Sequence, residues 1–418
     1  TALNLFCLIT CEKNMIKRER YMSVIRNFID KPVIKVFTGM RRCGKSSLLK
    51  LTYEEILKRN SVDEKNILYF NFESLEYESL KDYKALYKYI RELIDKSAGK
   101  FYFLFDEIQE VNKWQLLVNS LRVDFDCDIY ITGSNAKLLS GELATYLSGR
   151  YVEIKVYPLD FKEYLDFAKL NTEERSLTLE DNFRNYLKYG GLPEIHNLHF
   201  KEDSIYQYLD AIYNAVILKD VNERSNIRNT ALLKKIVNFI FDNVGNTFSA
   251  KTVSDYLKSQ SRNLSVETIY NYLQILENAF LIQKVPRYDL KGKKILETLE
   301  KYYVTDLGIR NSIIGFKDKD ISGILENVVY LELKRRDFKV AIGKFNTTEI
   351  DFIATKADLK YYYQICYLLT EDNAKREFTP LENVKDNFEK TVIATNKFIN
   401  SQYNGILQKN IIDFLLEK

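Results

Sequence analysis

The segment Gly39-Met40-Arg41-Arg42-Cys43-Gly44-Lys45-Ser46 constrains this chain more than any other. It reads G-x-x-x-x-G-K-S. The β-branched and aromatic run Val33-Ile34-Lys35-Val36-Phe37 precedes it, and the helix-forming stretch SSLLKLTYEEILKR follows. Strand, glycine loop and helix in that order predict a backbone cradle for phosphate. Gly39 and Gly44 let the chain turn tightly with no Cβ between the backbone and an anion. The loop amides and the positive end of the following helix then form a concave anion site. On this reading Gly39, Arg41, Arg42, Cys43, Gly44, Lys45, Ser46 and Ser47 bind the nucleotide. Lys45 sets its charge against the β- and γ-phosphates, and Ser46 holds a metal ion, so the cofactors expected are ATP and Mg²⁺. A strand–helix turn that binds nothing is the alternative.

Further apolar runs follow at the spacing of strands: Asn66 to Phe72, Phe101 to Phe105, Asp128 to Ser134 and Tyr151 to Val156. Helical patterns separate them, the clearest being Leu80 to Asp95, and another helix over Lys17 to Ile29 leads to the first strand. Buried runs alternating with helices predict a parallel sheet covered on both faces, with ligands at the carboxyl ends of its strands. Three polar groups occupy such ends: the phosphate loop, Asp106-Glu107 and Ser134-Asn135. Beside a phosphate-bound Mg²⁺, Asp106 binds the metal through its water shell and Glu107 accepts a proton from the attacking water. Standing alone, the two acids would read as a solvated strand end. Ser134 or Asn135 can orient that water or sense the γ-phosphate, with a plain turn as the alternative. Arg150 can meet a transition-state charge in its own chain or from a neighbouring copy; a surface salt bridge is the bland reading.

Composition narrows the classes. At 418 residues about two to three domains are expected. A net charge of +4 leaves nucleic-acid affinity to local patches. Five cysteines without paired spacing suit a reducing cytosol. Only two histidines occur, His196 and His199, so histidine-dependent nucleophilic catalysis is excluded; their H-x-x-H spacing allows a metal pair, and surface histidines in a connector are the plainer reading. Residues 1–14 are apolar but too short to span a membrane, and are expected to lie outside the fold proper. No other run approaches membrane-spanning length, so a cytoplasmic protein without membrane contact is expected.

Several stretches together resemble a known family. GMRRCGKSSLL, FLFDEIQ, ITGSNAKLLSGEL, LSGR and VYPLDFKEYL, with GGLPE, YYVTDLGIRN, ILENVVYLEL and EIDFIA further on, are similar to the prokaryotic AAA-type ATPases related to the archaeal ATPase group. The resemblance covers nearly everything from Met15 onward. It implies ATP binding and hydrolysis, and a C-terminal domain whose activity its motifs do not settle.

Beyond the first sheet, Asp160 to Arg228 reads as helical, interrupted by Gly190-Gly191-Leu192-Pro193. Asp220, Arg224 and Arg228 share a helix face there, as an ion-pair ladder or as nucleotide-sensing or DNA-facing groups. Helices at Leu232 to Asn243, Ser249 to Lys258 and from an N-cap at Ser265 precede two β-rich stretches around Lys291-Gly292-Lys293-Lys294. That order is the winged helix-turn-helix order. Lys258, Arg262, Arg287, Lys291, Lys293 and Lys294 are its candidate phosphate contacts, while Glu267, Tyr270 and Tyr272 give the third helix a poor base-reading face. Sequence-independent contact with double-stranded DNA and a protein-facing role both stay open.

In the last domain Glu326, Asp351 and Gln364-Ile365-Cys366 resemble the layout of the PD-(D/E)xK nucleases. Active members bind Mg²⁺ with a helical Glu and two strand acids, and a Lys stabilises the attacked phosphate. Here Gln364 replaces the second acid and Cys366 the lysine, so cleavage is not expected unless Lys360 or Lys344 moves into place. The expected fold is α/β: a P-loop NTPase sheet over residues 15–160, a helical lid or connector over 161–230, a winged helix-turn-helix over 231–310 and a nuclease-like domain over 311–418. Function is read as MgATP hydrolysis coupled to the later modules. A nucleotide-gated switch or DNA-binding regulator with little turnover, or an ATP-gated DNA nuclease, is the alternative, and homo-oligomers are compatible with each.

Overall fold

The computed structural model describes residues 15–59, 62–94, 99–136, 147, 149–169, 177–198, 200–223, 230–259, 264–292, 294–345, 348–396 and 402–417. The expectations placed on residues 1–14, His199, Arg224, Arg228, Arg262 and Lys293 fall outside them. The chain divides into two units, one ending at Tyr157 and the other beginning at Pro158.

The first unit holds α1 (Glu19–Phe28), β1 (Ile34–Thr38), α2 (Lys45–Leu57), β2 (Ile67–Asn71), α3 (Tyr83–Ile94), β3 (Phe101–Asp106), α4 (Trp114–Asp124), β4 (Cys127–Gly133) and β5 (Tyr151–Lys155). Its five strands are parallel, in the order β2-β3-β4-β1-β5. Every residue of β1 and β3 is buried, as a sheet covered on both faces requires. One face packs its aromatic ladder, Phe101, Phe103 and Phe105, among apolar residues of α3 and α4 such as Leu86, Ile90, Trp114 and Leu121. Lys35 breaks the apolar run of β1, and it is fully buried against the Asp128 carboxylate of β4, with its Nζ also donating to Lys31 O at 2.9 Å. Strand register sets the carboxyl ends level: Thr38 of β1 lies beside Gly133 of β4 and Lys155 of β5, and Asp106 beside Asn71.

The second unit begins with α5 (Phe161–Ala168), α6 (Leu179–Tyr189), α7 (Glu202–Ala215) and a π-helical continuation over Val216–Glu223. Asp160 and Thr178 start α5 and α6 as capping boxes, with Glu163 and Asp181 reaching back. Then come α8 (Thr230–Asp242), β6 (Thr247–Phe248), α9 (Ala250–Ser259), α10 (Val266–Asn278) and a hairpin of β7 (Ile282–Asp289) and β8 (Lys294–Val304). Ser265 caps α10, its Oγ accepting from Thr268 N at 3.1 Å. The rest comprises α11 (Leu307–Ile314), α12 (Ile321–Arg335), β9 (Lys339–Phe345), β10 (Thr348–Lys356), β11 (Leu359–Ile365), α13 (Glu371–Glu382), β12 (Glu389–Ala394), β13 (Gln402–Tyr403), β14 (Ile406–Asn410) and α14 (Ile411–Leu416).

The hairpin does not stand free. Strand β7 pairs in parallel with β9, so one nine-stranded sheet runs β13-β14-β12-β11-β10-β9-β7-β8-β6. The division expected at 310/311 therefore cuts through a continuous sheet and does not separate domains. Nor do the helices of 161–230 stand apart, because α11 packs on both α6 and α7. That junction explains two of the sequence motifs, GGLPE and TDLGIRN. Asp306 accepts from Gly191 N at 2.8 Å and from Ile309 N at 3.1 Å, while Asn311 donates to the carbonyls of Leu187 and Lys188. A Cβ on Gly308 would stand 2.0 Å from Tyr189 O, so only glycine lets the two segments meet. Burial pushes the Asp306 carboxyl up to about 6 against the pull of its backbone donors. Among the described residues no helix is long and apolar enough to cross a membrane.

Candidate functional site at the carboxyl ends of the parallel strands

The loop leaving β1 is shaped by two unusual backbone conformations. Arg42 has φ 65° and Gly44 has φ 100°, both left-handed, and they turn the chain into the first turn of α2. At Gly39 a Cβ would lie 2.2 Å from Val156 O, so glycine lets the loop pass under the segment leaving β5. Cys43 is buried on that same segment, its Sγ 3.4 Å from Val156 O, and burial pushes its thiol pKa up. Arg41 NH1 is 3.9 Å from Glu73 Oε1; Arg42 and Ser47 are exposed.

Lys45 is buried at the start of α2. Its Nζ donates to Gly39 O at 3.1 Å and Met40 O at 2.9 Å, and lies 3.9 Å from Glu107 Oε1. Ser46 Oγ donates to Asp106 Oδ1 at 3.1 Å, although the two are sixty positions apart. Asp106 also accepts from Thr132 Oγ1 at 2.5 Å and Tyr69 OH at 3.1 Å. Burial raises the Asp106 carboxyl above its usual range, and these hydrogen bonds pull it partly back. Glu107 sits just past β3 at φ 53°; its amide donates to Thr132 Oγ1 at 2.9 Å, and its carboxylate accepts from Gln109 Nε2. Ser134 and Asn135, past the end of β4, are both buried, and no described group hydrogen-bonds the Ser134 Oγ.

These contacts test whether the donor set suits a magnesium–nucleotide pair. Mg²⁺ keeps most of its ligands as waters and phosphate oxygens and takes one or two protein oxygens. A hydroxyl and a carboxylate in mutual contact, beside a left-handed glycine loop and a buried lysine, fit that demand.

Arg150 does not join them. It is exposed at the amino end of β5, where its carbonyl accepts from Ile34 N at 2.9 Å and its NH1 lies 3.4 Å from Asn119 Oδ1. The phosphate loop leaves the opposite end of β1, about 16 Å away for five residues of strand. The expectation that Arg150 reaches a phosphate held by its own chain is therefore corrected. The parallel register puts it at the wrong end of the sheet.

Other residues act here that the sequence reading passed over. Thr132 holds both acids through one hydroxyl; a lone Thr near the end of the apolar run DIYITG was its only signal. Arg18, buried ahead of α1, donates to Cys43 O and Tyr157 O, both at 2.9 Å, and stacks on Tyr21 at 4.6 Å. It fixes the phosphate loop to the end of the first unit. Nothing in its local sequence marks it.

Elsewhere, Arg287 lies 3.8 Å from Glu349 and is largely buried, which removes it from the candidate phosphate contacts. Lys258 is 3.7 Å from Asp255, while Lys291 and Lys294 are exposed at the hairpin turn. His196 is buried among Tyr164, Phe167 and Phe200, not on a connector surface, and burial lowers its pKa to about 4. Glu326 and Asp351 come together, with Gln364 on the strand beside Asp351. Lys360 instead lies 4.0 Å from Asp386, and Lys344 stands opposite Glu349 in the β9–β10 ladder. Burial raises the Cys366 thiol to about 12.

A family model described as an AAA domain matches residues 31–165, and a domain of unknown function, DUF8612, matches residues 180–320. An uncharacterized protein of Haemophilus influenzae is 43% identical over 97% of this chain and its own full length. The uncharacterized protein MJ1544 of Methanocaldococcus jannaschii is 36% identical over 84% of this chain and 79% of its own. Among solved structures, the Walker-type ATPase PABY2304 of Pyrococcus abyssi aligns with a TM-score of 0.52 at 16% identity, over 72% of this chain and 96% of that one. The chain belongs to the same family as the Haemophilus and Methanocaldococcus proteins, and its first unit is an AAA-type domain of P-loop fold.

Proposed function

We propose that this protein binds ATP with Mg²⁺ at the loop of residues 39–47 and hydrolyses it. The contact between Ser46 and Asp106 carries this reading: it joins the residue after the loop lysine to the acid ending β3, the pair that a phosphate-bound Mg²⁺ needs. The metal, when bound, neutralises charge growing on the β- and γ-phosphate oxygens. The chain's own groups supply the rest. Lys45 now satisfies its ammonium with two carbonyls of its own loop and can exchange them for phosphate oxygens. Glu107 is the general base for water; Gln109 and the Thr132 hydroxyl hold it in place. Ser134 and Asn135 line the same strand end and orient that water.

Titration calorimetry with MgATP, followed by single-turnover hydrolysis, tests this in wild type, Lys45→Ala and Glu107→Gln. Lys45→Ala should abolish the binding heat, and Glu107→Gln should keep it while losing hydrolysis. Equal, near-background hydrolysis in wild type and Glu107→Gln with binding intact would make the protein a nucleotide-gated switch. No heat in wild type would end the nucleotide reading.

A winged-helix reading of α8 to β8 draws support from its helix–strand–helix–helix–hairpin order, with β6 pairing on β8. Exposed Lys291 and Lys294 make the hairpin turn the place for contact with the backbone of double-stranded DNA. Two phosphate contacts give a log–log salt slope of about −2. A slope that Lys291→Gln/Lys294→Gln leaves unchanged would remove the turn from DNA contact.

A further inference from the structure

The sequence resemblance gives the C-terminal part of the second unit a metal site at Glu326 and Asp351, and the side chains there do not suit one. Lys301, from β8, places its Nζ 3.0 Å from Glu326 Oε2, 2.8 Å from Glu349 Oε1 and 3.8 Å from Asp351 Oδ1. Its side chain is only 4% exposed. The acids arrive from α12 and β10, so three elements converge on one ammonium group.

Further donors crowd the same acids, one of them sharing Glu326 Oε2 with the lysine. Tyr303 OH donates to Glu326 Oε2 at 2.8 Å, Ile365 N donates to Asp351 Oδ2 at 2.8 Å, and Arg287 approaches Glu349 Oε2 at 3.8 Å. A divalent cation needs free oxygens at about 2.0–2.6 Å, and here one ammonium already stands 2.8–3.8 Å from all three acids. Gln364 and Cys366 supply neither an anionic oxygen nor a cation. Among the described residues no group of three or more His, Cys, Asp or Glu is arranged to hold a metal ion.

We infer that Lys301 is the resident cation of this cluster: its ammonium takes the place that a nuclease of this layout gives to a metal, and it bolts the β7–β8 hairpin to α12 and β10. A lysine that donates to the acids is spent on them, so it is not the migrated lysine of a cleavage centre. The bolt also accounts for the continuous sheet across residue 310, since the hairpin brings the cation and the C-terminal elements bring the anions. None of this depends on nucleotide binding in the first unit.

Electron paramagnetic resonance of free Mn²⁺, titrated into the nucleotide-free full chain, tests the inference without relying on activity. Wild type should show no Mn²⁺ site that Asp351→Asn removes, and should not nick supercoiled plasmid. Lys301→Met leaves the carboxylates without their cation. It should bind Mn²⁺ at least tenfold more tightly than wild type, lose that gain on adding Asp351→Asn, and exchange its hairpin amides faster than Lys301→Arg. An Asp351-dependent Mn²⁺ site in wild type would overturn the proposal, as would a folded Lys301→Met variant that gains none. Should Lys301→Met fail to fold, the comparison of wild type with Asp351→Asn decides alone.

Discussion

Thr132→Val is the most informative single change at the strand ends. Valine keeps the shape of threonine and removes one hydroxyl, which donates to Asp106 Oδ1 at 2.5 Å and accepts from Glu107 N at 2.9 Å. A hydrogen bond to a charged group contributes about 1.5–3 kcal/mol, and a buried N–H left unpaired costs about 1–3 kcal/mol. The added methyl recovers roughly 1 kcal/mol by burial. The net loss is about 1.5–5 kcal/mol, or a fall of about 0.8–2.5 M in the urea midpoint at a slope of ~2 kcal/mol/M. The pH dependence has a definite sign. Burial already raises the Asp106 carboxyl, and the Thr132 hydrogen bond is the largest influence lowering it. Without that bond the folded-state pKa climbs further above the unfolded one. The destabilisation is then smallest below about pH 4 and largest above the folded pKa. Urea melts at pH 4.5 and pH 8 measure both quantities, and the acid limb of Mg²⁺-dependent turnover should move to higher pH. An unchanged midpoint, or an equal loss at the two pH values, refutes the claim that this hydroxyl holds the acid pair.

Glu107→Gln should lower turnover by about 10²–10⁴-fold, the usual span of a general base, with the nucleotide dissociation constant within about threefold of wild type; calorimetry beside single-turnover kinetics separates the two. Arg150→Ala should leave the turnover of dilute, monomeric protein unchanged, because the residue lies at the amino end of β5; a large loss there would place the arginine near the phosphates after all. Burial raises Asp306 to about 6, so the fold favours its protonated form and stability of the second unit falls as pH rises from about 4 to 6. The span is about 3 kcal/mol. The difference between wild-type and Asp306→Asn melts should show that limb, and a flat difference would contradict it. Gly308→Ala should cost about 3 kcal/mol, since its Cβ would meet Tyr189 O at 2.0 Å; calorimetric melting reads it directly, and a neutral result would mean the two motifs do not abut.

The sequence by itself determined what depends on neighbours along the chain. The phosphate loop was legible because its glycines, lysine and serine work through a backbone geometry built within eight residues, between a strand and a helix that announce themselves by period. Asp106-Glu107 was legible because two carboxylates end an apolar run, and the Ser265 cap because its partner is the amide three residues on. Tertiary structure alone decided which strand lies beside which. Strand order put β4 between β1 and β3, so that Thr132 could hold both acids, and the parallel register carried Arg150 to the far end of the sheet. It also brought Lys301 from the hairpin to acids on a later helix and strand, and made one sheet of what reads as two domains. Side-chain periodicity tells which face of an element is buried; it does not name the partner across the ladder, because pairing between distant strands is settled by the packing of the whole sheet.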